Sequence, residues 1–310
     1  EHFPVEEYLD DYDRLFDAHE ACGGDFIWSG SIYWGIPWLE AVIGCPIYAD
    51  HSTGSIYSRP PSWFDGPGSL PDFDPNSPWN QKAKEFLEKM AVRSNGRWPI
   101  GTTRMRGISD LLSALYGLQE LVFAMQDKPG EVKEVCRKLT KTWIEFGKLQ
   151  LDNIPLYYDG VGSFYYYLWA PKGTIWHQED NVALLSPDLY KEFIEPYDQQ
   201  IVNAFAGCIM HQHTTGYLPL ENYLNLGFTA LELHIDEGGP SAEKLYNKHM
   251  KILQDAPLII WGDISETDMD WLFNNLPYQG LAIITVVSNP EEAYDIWRRY
   301  IQENPDFKNP

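Results

Sequence analysis

Short apolar segments alternate with helical patterns along the last third of this 310-residue chain. Between residues 207 and 302 the apolar segments read GCIMHQHT, TALELHID, PLIIWGDI and LAIITVVS, and a turn and a helical stretch follow each of them. Strands that alternate with helices indicate a parallel sheet built from right-handed βαβ units. The number of such units along the whole chain favours a closed (β/α)8 barrel over an open doubly wound sheet. We therefore expect an α/β fold of the TIM-barrel type.

The pattern becomes regular from residue 97 onward. RWPIGTTRM predicts a strand, and Ser109 is placed to cap a helix that runs to about Gln126. A second long helix follows Pro129, and Ser186 precedes a proline that should open a helix continuing to about Ala204. These signals predict regular β/α units over residues 97–303.

Residues 1–96 give few periodic signals and are rich in Trp, Pro and Gly. We predict that they form an irregular N-terminal part of one domain that spans residues 1–310. A long irregular loop is expected at residues 58–80. Such a loop either lies beside a functional site or decorates the surface.

Acidic residues outnumber basic ones, with 45 Asp and Glu against 23 Lys and Arg and a formal net charge of −22. This balance argues against binding to nucleic acid or to an anionic membrane surface, since both require positive potential. The apolar runs fall short of the ~20 residues of a membrane span. The N-terminal segment EHFPVEEYLDDYD lacks the layout of a secretory signal, and the four cysteines suggest no disulfide framework. We expect a cytoplasmic protein.

Two histidines occupy one face of the predicted strand GCIMHQHT. Residues two apart in a strand point to the same side, so His211 and His213 should project together near its C-terminal end. In a barrel that end carries the active site. A His-x-His pair on a strand is suited to hold Zn²⁺ or a comparable divalent ion. The alternative is a pair of hydrogen-bonded histidines that orders a polar pocket.

The following strands bring further polar groups to the same end. In ALELHID the apolar side chains should face the helices, and Glu232, His234 and Asp236 should face inward. Buried ionisable groups are costly unless they are paired or bind a metal, so these three indicate a wet cavity. On the next strand Asp263 again sits at the C-terminal end.

The segment TIWHQEDN adds Trp176, His177, Glu179 and Asp180. Glu179 or Asp180 could complete a metal shell with the histidine pair or act as a general acid or base. Either acid could equally be a solvated loop residue. We assign Trp176 and His177 to the substrate-binding wall.

A second group of predicted substrate-binding residues lies earlier in the chain. Arg104 and Arg106 are two residues apart, so in an extended chain their side chains point to the same side. They could clamp a substrate carboxylate or phosphate, although structural salt bridges are the alternative. Tyr33 and Trp34 could form an aromatic wall for a flat or cationic ligand, or belong to the core.

The segment LLSPDLYKEFIEPYDQQI, followed by MHQHTTG and LNLGFTALELHID, resembles the uroporphyrinogen decarboxylase superfamily. The paired central helices in residues 107–146 are also similar, and the resemblance covers roughly residues 97–300. It implies a (β/α)8 barrel with a deep cleft at the C-terminal ends of the strands. Decarboxylases of this superfamily carry an N-terminal Arg-Gln-Ala-Gly-Arg element, which this sequence lacks.

The chain more closely resembles the corrinoid-dependent methyltransferase branch, in which a His-x-Cys strand and a later Cys hold Zn²⁺. His211 matches that His, and His213 stands where the first Cys would be. The later Cys would fall near residues 285–288, which contain none. The candidates for the third ligand are therefore Glu179, His234 and Asp263.

The resemblance implies a metal-dependent methyltransferase that acts on a small molecule, with Zn²⁺ as the metal and a corrinoid supplied by a partner protein. His211 and His213 would bind the metal, and the predicted catalytic residues are Glu179, Asp180, His234 and Asp263. A metal-independent decarboxylase or lyase, in which Asp180 protonates a carbanion, is the alternative enzyme. A third hypothesis is a non-catalytic ligand-binding barrel. Aromatic-rich loops outside the barrel are compatible with a homodimer.

Overall fold

The computed structural model describes residues 3–163 and 165–303. The α-helices are α1 (Val5–Glu20), α2 (Trp38–Val42), α3 (Pro78–Ser94), α4 (Ile108–Tyr116), α5 (Leu118–Asp127), α6 (Pro129–Asn153), α7 (Pro187–Phe193), α8 (Glu195–Ala204), α9 (Leu220–Leu226), α10 (Tyr246–Asp255), α11 (Glu266–Asn275) and α12 (Pro290–Trp297). The strands are β1 (Ile47–Asp50), β2 (Ser55–Ser58), β3 (Gly160–Ser163), β4 (Leu168–Pro171), β5 (Thr174–Gln178), β6 (Gly207–His211), β7 (Ala230–Ile235), β8 (Leu258–Gly262) and β9 (Leu281–Thr285).

Strands β5 to β9 form one parallel sheet in chain order. Their residues are mostly apolar, with Ile in every strand, as in sheets that helices cover on the faces. Strands β5 and β6 are buried along their whole length, whereas β9 at the far edge is only half-buried. The mixed α/β class and the parallel sheet predicted from residues 207–302 are confirmed.

A closed eight-stranded barrel is not seen within the described ranges. The ladder of five strands is extended only by single parallel bridges, between Arg106 and Gln178 and between Gly30 and Ile100. The segment RWPIGTTRM, which we expected to be a strand, is extended but forms few backbone hydrogen bonds with neighbouring strands. Pro99 has no N–H to give to a ladder, and Gly101 weakens a strand, so a regular strand is disfavoured there.

Two helices that the periodicity predicts as continuous are each broken in two. Helices α4 and α5 meet at an angle of 100° at Gly117, whose φ of 79° is one that residues with a Cβ rarely adopt. Helices α7 and α8 are separated at Ile194, and Pro196 stands in the first turn of α8. A proline there cannot continue the hydrogen bonding of the preceding helix.

The N-terminal part packs against the central helices through aromatic side chains. Helix α1 lies on α3, where Arg93 forms an ion pair with Asp13 at 2.9 Å. In the loop at residues 58–80, Phe64 packs against Tyr116, and the backbone of Pro67 accepts a hydrogen bond from Lys138 on α6. The loop thus contacts the helices α4 and α6, and Trp63 within it also donates a hydrogen bond to the backbone of Gly44 at 3.3 Å.

Among the residues the structure describes, no single helix combines the length and the apolar character needed to cross a membrane. The bent pair α4–α5 meets the criterion only when both helices are counted together. All four cysteines are free thiols, and three of them are buried.

Candidate metal site

The end of β6 brings two imidazole rings together. His211 is the last residue of β6, and His213 forms a parallel bridge with His234 of β7. The Nε2 atoms of His211 and His213 lie 3.3 Å apart. The two rings thus share one face, as the strand alternation predicted.

Each of these rings is held at its other nitrogen by a carboxylate from β7 or the residue after it. Glu232, which is fully buried, contacts Nδ1 of His211. Asp236 Oδ1 lies 2.6 Å from Nδ1 of His213. A carboxylate beside Nδ1 fixes the proton on that nitrogen, so the Nε2 lone pairs of both rings are directed at the same point.

Both carboxylates are themselves held in place by hydrogen bonds. Glu232 accepts hydrogen bonds from the backbone N–H of Gln212 at 3.1 Å and from the hydroxyl of Tyr166 at 3.3 Å. Asp236 accepts one from the backbone N–H of Thr214 at 3.2 Å. The orientation of the histidine pair is therefore set by groups on β7 and on the segment that follows β6.

Asp180 supplies a third group on the other side of the pair. Its Oδ2 accepts a hydrogen bond from Nε2 of Gln178, and its backbone N–H donates to Asp110 at 3.4 Å. Its Oδ1 is buried, has no hydrogen-bond partner within residues 3–163 and 165–303, and lies 3.9 Å from Nε2 of both His211 and His213. A buried oxygen without a donor is costly, so this atom needs a cation or a proton.

The three atoms fit one divalent ion. A point equidistant from Nε2 of His211, Nε2 of His213 and Oδ1 of Asp180 lies about 2.2 Å from each atom. Zinc binds imidazole nitrogen at roughly 2.0–2.1 Å and carboxylate oxygen at roughly 2.0–2.2 Å. Three protein ligands would leave coordination positions open, which is typical of catalytic zinc sites.

Two other groups of potential ligands fit a metal less well. In the set His213, His234 and Asp236, the 2.6 Å between His213 and Asp236 is a hydrogen-bond distance, shorter than the about 3.4 Å between ligands of one tetrahedral zinc. In the set His177, Glu179 and Asp198, both Glu179 oxygens already accept backbone N–H groups.

Burial and the neighbouring charges shift the pKa values of His211 and Glu232 in opposite directions. Burial lowers the pKa of His211, but the carboxylates of Glu232 and Asp180 outweigh it, and the net pKa lies above its ordinary value. Burial raises the pKa of Glu232, but its contacts with His211 and His234 bring the net pKa below its ordinary value. Glu232 is therefore a carboxylate that stabilises positive charge on or beside His211.

Aromatic rings surround the histidines. Trp176 stacks on His211 with ring centroids 5.5 Å apart, and Trp261 lies 4.5 Å from the ring of His234. Tyr165 contacts Trp261 at 4.8 Å. Its φ of 81° is unusual for a residue with a side chain, as is common near functional sites. These rings pack around the histidines, whereas the side chains of His213 and Asp180 remain 36% and 37% exposed.

Glu179 and His177 lie on the other side of β5, away from the histidine pair. Glu179 accepts hydrogen bonds from the backbone N–H groups of Ile108 at 2.6 Å and Ser109 at 2.9 Å, and so caps the start of α4. His177 is fully buried, and its Nε2 lies 3.0 Å from Asp198 of α8. Both residues thus join β5 to the surrounding helices.

The two predicted arginines differ in their partners. Arg106 pairs with Glu40 at 2.6 Å and lies 3.6 Å from Asp110, and both carboxylates are fully buried. Arg104 forms no ion pair within residues 3–163 and 165–303, and its guanidinium lies 5.7 Å from the centre of the Trp34 ring. Burial, together with the charge of Arg106, lowers the pKa of Arg104 below its ordinary value.

Three predicted site residues remain, and the structure places one of them, His234, beside the histidine pair. Tyr33 is half-buried and packs against Tyr8, with ring centroids 4.5 Å apart. Asp263 follows β8 and is exposed. His234 is in the cluster, where its Nδ1 lies 3.6 Å from Glu232.

The sequence predicts that Glu232 and Asp236 line the cavity but gives them no role at the metal, and it does not single out Gln178. Glu232 and Asp236 share the inward face of β7 with His234, and the alternation along ALELHID already indicates this. Gln178 has the same parity as Asp180, whose carboxylate it orients. Nothing in the local sequence indicates that Trp261 packs against His234.

A scan of the sequence against protein-family models finds no match, and a search of curated proteins finds no matching sequence.

Proposed function

We propose that this chain is a divalent-metal enzyme in which His211, His213 and Asp180 bind zinc. One observation carries this proposal. The two Nε2 atoms face each other at 3.3 Å while a carboxylate contacts each Nδ1, and Oδ1 of Asp180, which has no hydrogen-bond partner among the described residues, completes the triangle. Two lone pairs and a carboxylate oxygen directed at one point are stabilised by a cation.

The residues of the chain have distinct roles in this proposal. When bound, zinc supplies Lewis acidity to a heteroatom of the substrate. Glu232 and Asp236 orient the ligand rings and raise their basicity. Nitrogen and oxygen ligands without thiolates make a hard site, which favours water, alkoxide or carboxylate over a thiol.

We assign the reaction to methyl transfer in the uroporphyrinogen decarboxylase-like superfamily, with a corrinoid on a partner protein. The segment LLSPDLYKEFIEPYDQQI supports this assignment, as does the absence of the Arg-Gln-Ala-Gly-Arg element of the decarboxylases. In the fold this segment covers α7 and most of α8, directly before β6 and its histidines.

We also propose that the five-stranded sheet is part of a closed barrel. The parallel bridge between Arg106 and Gln178 places the segment around Arg106 next to β5. The parallel bridge between Gly30 and Ile100 places the segment around Gly30 next to the chain that leads to Arg106. The backbone of Gly162 also donates to Ile100 at 2.9 Å. These segments would form the wall opposite β8 and β9.

A metal-independent decarboxylase is the second candidate. Arg104 forms no ion pair with the residues that the structure describes, which favours this candidate because a substrate carboxylate could take that place. Asp180 would then donate the proton to the carbanion that remains after CO2 leaves. This candidate predicts activity that survives chelators.

Metal analysis of the purified protein tests the main proposal. We expect about one zinc per chain, and less than a tenth of that in a His211→Ala/His213→Ala variant. His51 is exposed and far from the described contacts of the site, so His51→Ala is the matched control and should keep its zinc. A metal-free wild-type protein that is unaffected by zinc addition would contradict the proposal.

Activity separates methyl transfer from the alternatives. The zinc-loaded protein is incubated with reduced cobalamin and candidate methyl ethers or methylamines, and formation of methylcobalamin is followed by its absorbance. We expect formation that depends on zinc and is lost in the His211→Ala/His213→Ala variant. Zinc binding without turnover, but with stabilisation by a ligand, would indicate the non-catalytic barrel.

A further inference from the structure

We propose that Arg104 anchors a carboxylate of the substrate beside the metal site, and that the substrate is a small planar, aromatic monocarboxylate. This inference rests on the proposed function, because it places a second contact point next to the zinc ligands. Arg106, two residues away, has a structural role instead.

The first step is the lack of a partner for Arg104. The chain has 45 acidic and 23 basic residues, so a half-buried arginine readily finds a carboxylate. Arg106 illustrates this, since it contacts Glu40 and Asp110. Arg104 has no ion pair and no hydrogen bond in the part of the chain that the structure describes. A half-buried guanidinium without hydrogen bonds is costly, and a ligand anion would remove that cost.

The second step is the position of Arg104 on the inner face of the sheet. Arg106 is bridged to Gln178, which is in register with His211. Arg104 lies two residues earlier, on the same face. Met105 between them points the other way, where its sulfur accepts a hydrogen bond from Gln150 of α6. Arg104 therefore lies on the same side of the sheet as His211.

The third step is the geometry around the guanidinium. The Trp34 ring lies 5.7 Å from its centre, and this tryptophan is itself 42% exposed. An aromatic ring near a guanidinium stabilises its charge and limits its rotation. The planar donors then remain available for the two oxygens of a carboxylate, which they match in geometry.

The class of anion follows from the surrounding charges and rings. Asp180, Glu232 and Asp236 make the site acidic, so a doubly charged phosphate is repelled more than a singly charged carboxylate. The ring of Trp34 lies beside the guanidinium and is 42% exposed, so it offers aromatic surface for a flat group. A planar body with a single carboxylate satisfies both conditions.

Calorimetric titration of the zinc-loaded protein with benzoate tests this proposal. We expect saturable binding with a Kd on the order of 1 mM or lower. Loss of a charge-assisted contact should weaken the binding at least about tenfold in Arg104→Met. Neutral benzamide should also bind at least about tenfold more weakly. Arg14 is exposed and remote, so Arg14→Met is the control and should bind benzoate like the wild type.

The outcomes separate this inference from the proposed function. Zinc content is measured on every sample, and the titration is repeated on chelator-treated protein. Zinc in the wild type together with no benzoate binding, or with equal binding in Arg104→Met, overturns the inference alone. Tighter binding of inorganic phosphate than of benzoate overturns the assigned class. If the wild type binds no zinc but Arg104 is still needed for benzoate, the proposed function fails and the carboxylate anchor stands.

Discussion

His211 and His213 present their Nε2 atoms to each other at 3.3 Å, and each ring contacts a carboxylate through Nδ1. A proton on either Nε2 atom makes the pair a hydrogen bond, whereas two neutral rings that carry the proton on Nδ1 direct two lone pairs at each other. That arrangement is repulsive by itself and attractive around a cation. The relationship between these two residues is the basis of the predicted zinc affinity.

Removal of the charge on either supporting carboxylate should weaken zinc binding. We expect Asp236→Asn and Glu232→Gln each to lower zinc affinity about 10–100-fold, because these acids fix the ring tautomer and raise its basicity. Competition with a fluorescent chelator measures the affinity. Glu243 is exposed, so Glu243→Gln is the control and should be unchanged. Unaltered affinity in both variants would show that the carboxylates have no role in metal binding.

Gly107 allows Glu179 to approach the start of α4. A Cβ at this position would overlap the Glu179 carboxylate and the backbone oxygen of Gln178. We expect Gly107→Ala to lower the free energy of unfolding by about 2–3 kcal/mol, as other overpacked sites do. Urea denaturation measures this change.

Gly130 provides the matched control for that substitution. It lies in α6, and a Cβ there meets nothing within 4 Å. Gly130→Ala should therefore be neutral, or stabilising by up to about 1 kcal/mol. If both substitutions change the free energy of unfolding equally, the close approach of Glu179 is not what excludes a larger side chain at position 107.

The alternation of polar and apolar residues predicts the part of the site that lies on β6 and β7. His211, His213 and His234 meet because strand periodicity places residues two apart on one face and because neighbouring parallel strands end at the same edge. Asp180 also follows from this reasoning, since it comes just after β5. The local sequence pattern is therefore sufficient to predict a site when all of its residues lie on adjacent strands or directly after them.

The roles of Glu179 and Arg106 depend on residues far away in the sequence. Glu179 caps a helix that starts 71 residues earlier, and Arg106 pairs with Glu40, 66 residues before it. Local sequence contains no signal for such contacts, so Ser109 is predicted as the cap. In the structure Gly107 is the N-cap, and Ser109 instead donates to Glu179.

The guanidinium of Arg106 balances the negative charges of two buried carboxylates, Glu40 and Asp110. Replacement by Met leaves Glu40 and Asp110 without their cation, so we expect a loss of about 3–5 kcal/mol in the free energy of unfolding at pH 7. Even with Arg106 present, burial raises the pKa of Asp110 to about 6. Without Arg106 the pKa of Asp110 rises further, and protonation of Asp110 then removes the cost of burying its charge.

The penalty of Arg106→Met should therefore shrink as the pH falls. Asp110 takes up a proton in the folded state at a higher pH than in the unfolded state, and so acidification favours folding of the variant. Urea denaturation at pH 7 and pH 5 measures the difference from the wild type. A penalty that is constant with pH would mean that Asp110 stays ionised. Arg14→Met, at an exposed ion pair, should change stability by less than about 1 kcal/mol.

Asp198 makes stability depend on pH in the neutral range. Burial raises its pKa to about 8, far above the value of 3.8 that it has when unfolded. At low pH both states hold the proton. As the pH rises through the interval between the two values, the unfolded state releases the proton and the folded state keeps it, so the free energy of unfolding falls by up to about 1.4 kcal/mol per pH unit.

Asp198→Asn removes this titration but keeps the shape and a polar group beside His177, which lies 3.0 Å away. We expect the variant to lose less stability than the wild type between pH 5 and pH 8, as measured by urea denaturation across that range. Asp17 is exposed on α1, and Asp17→Asn should retain the wild-type slope. Because the comparison of two nearly isosteric proteins cancels the other titrating groups, equal slopes for Asp198→Asn and the wild type would show that Asp198 is already ionised in the folded protein across this pH range.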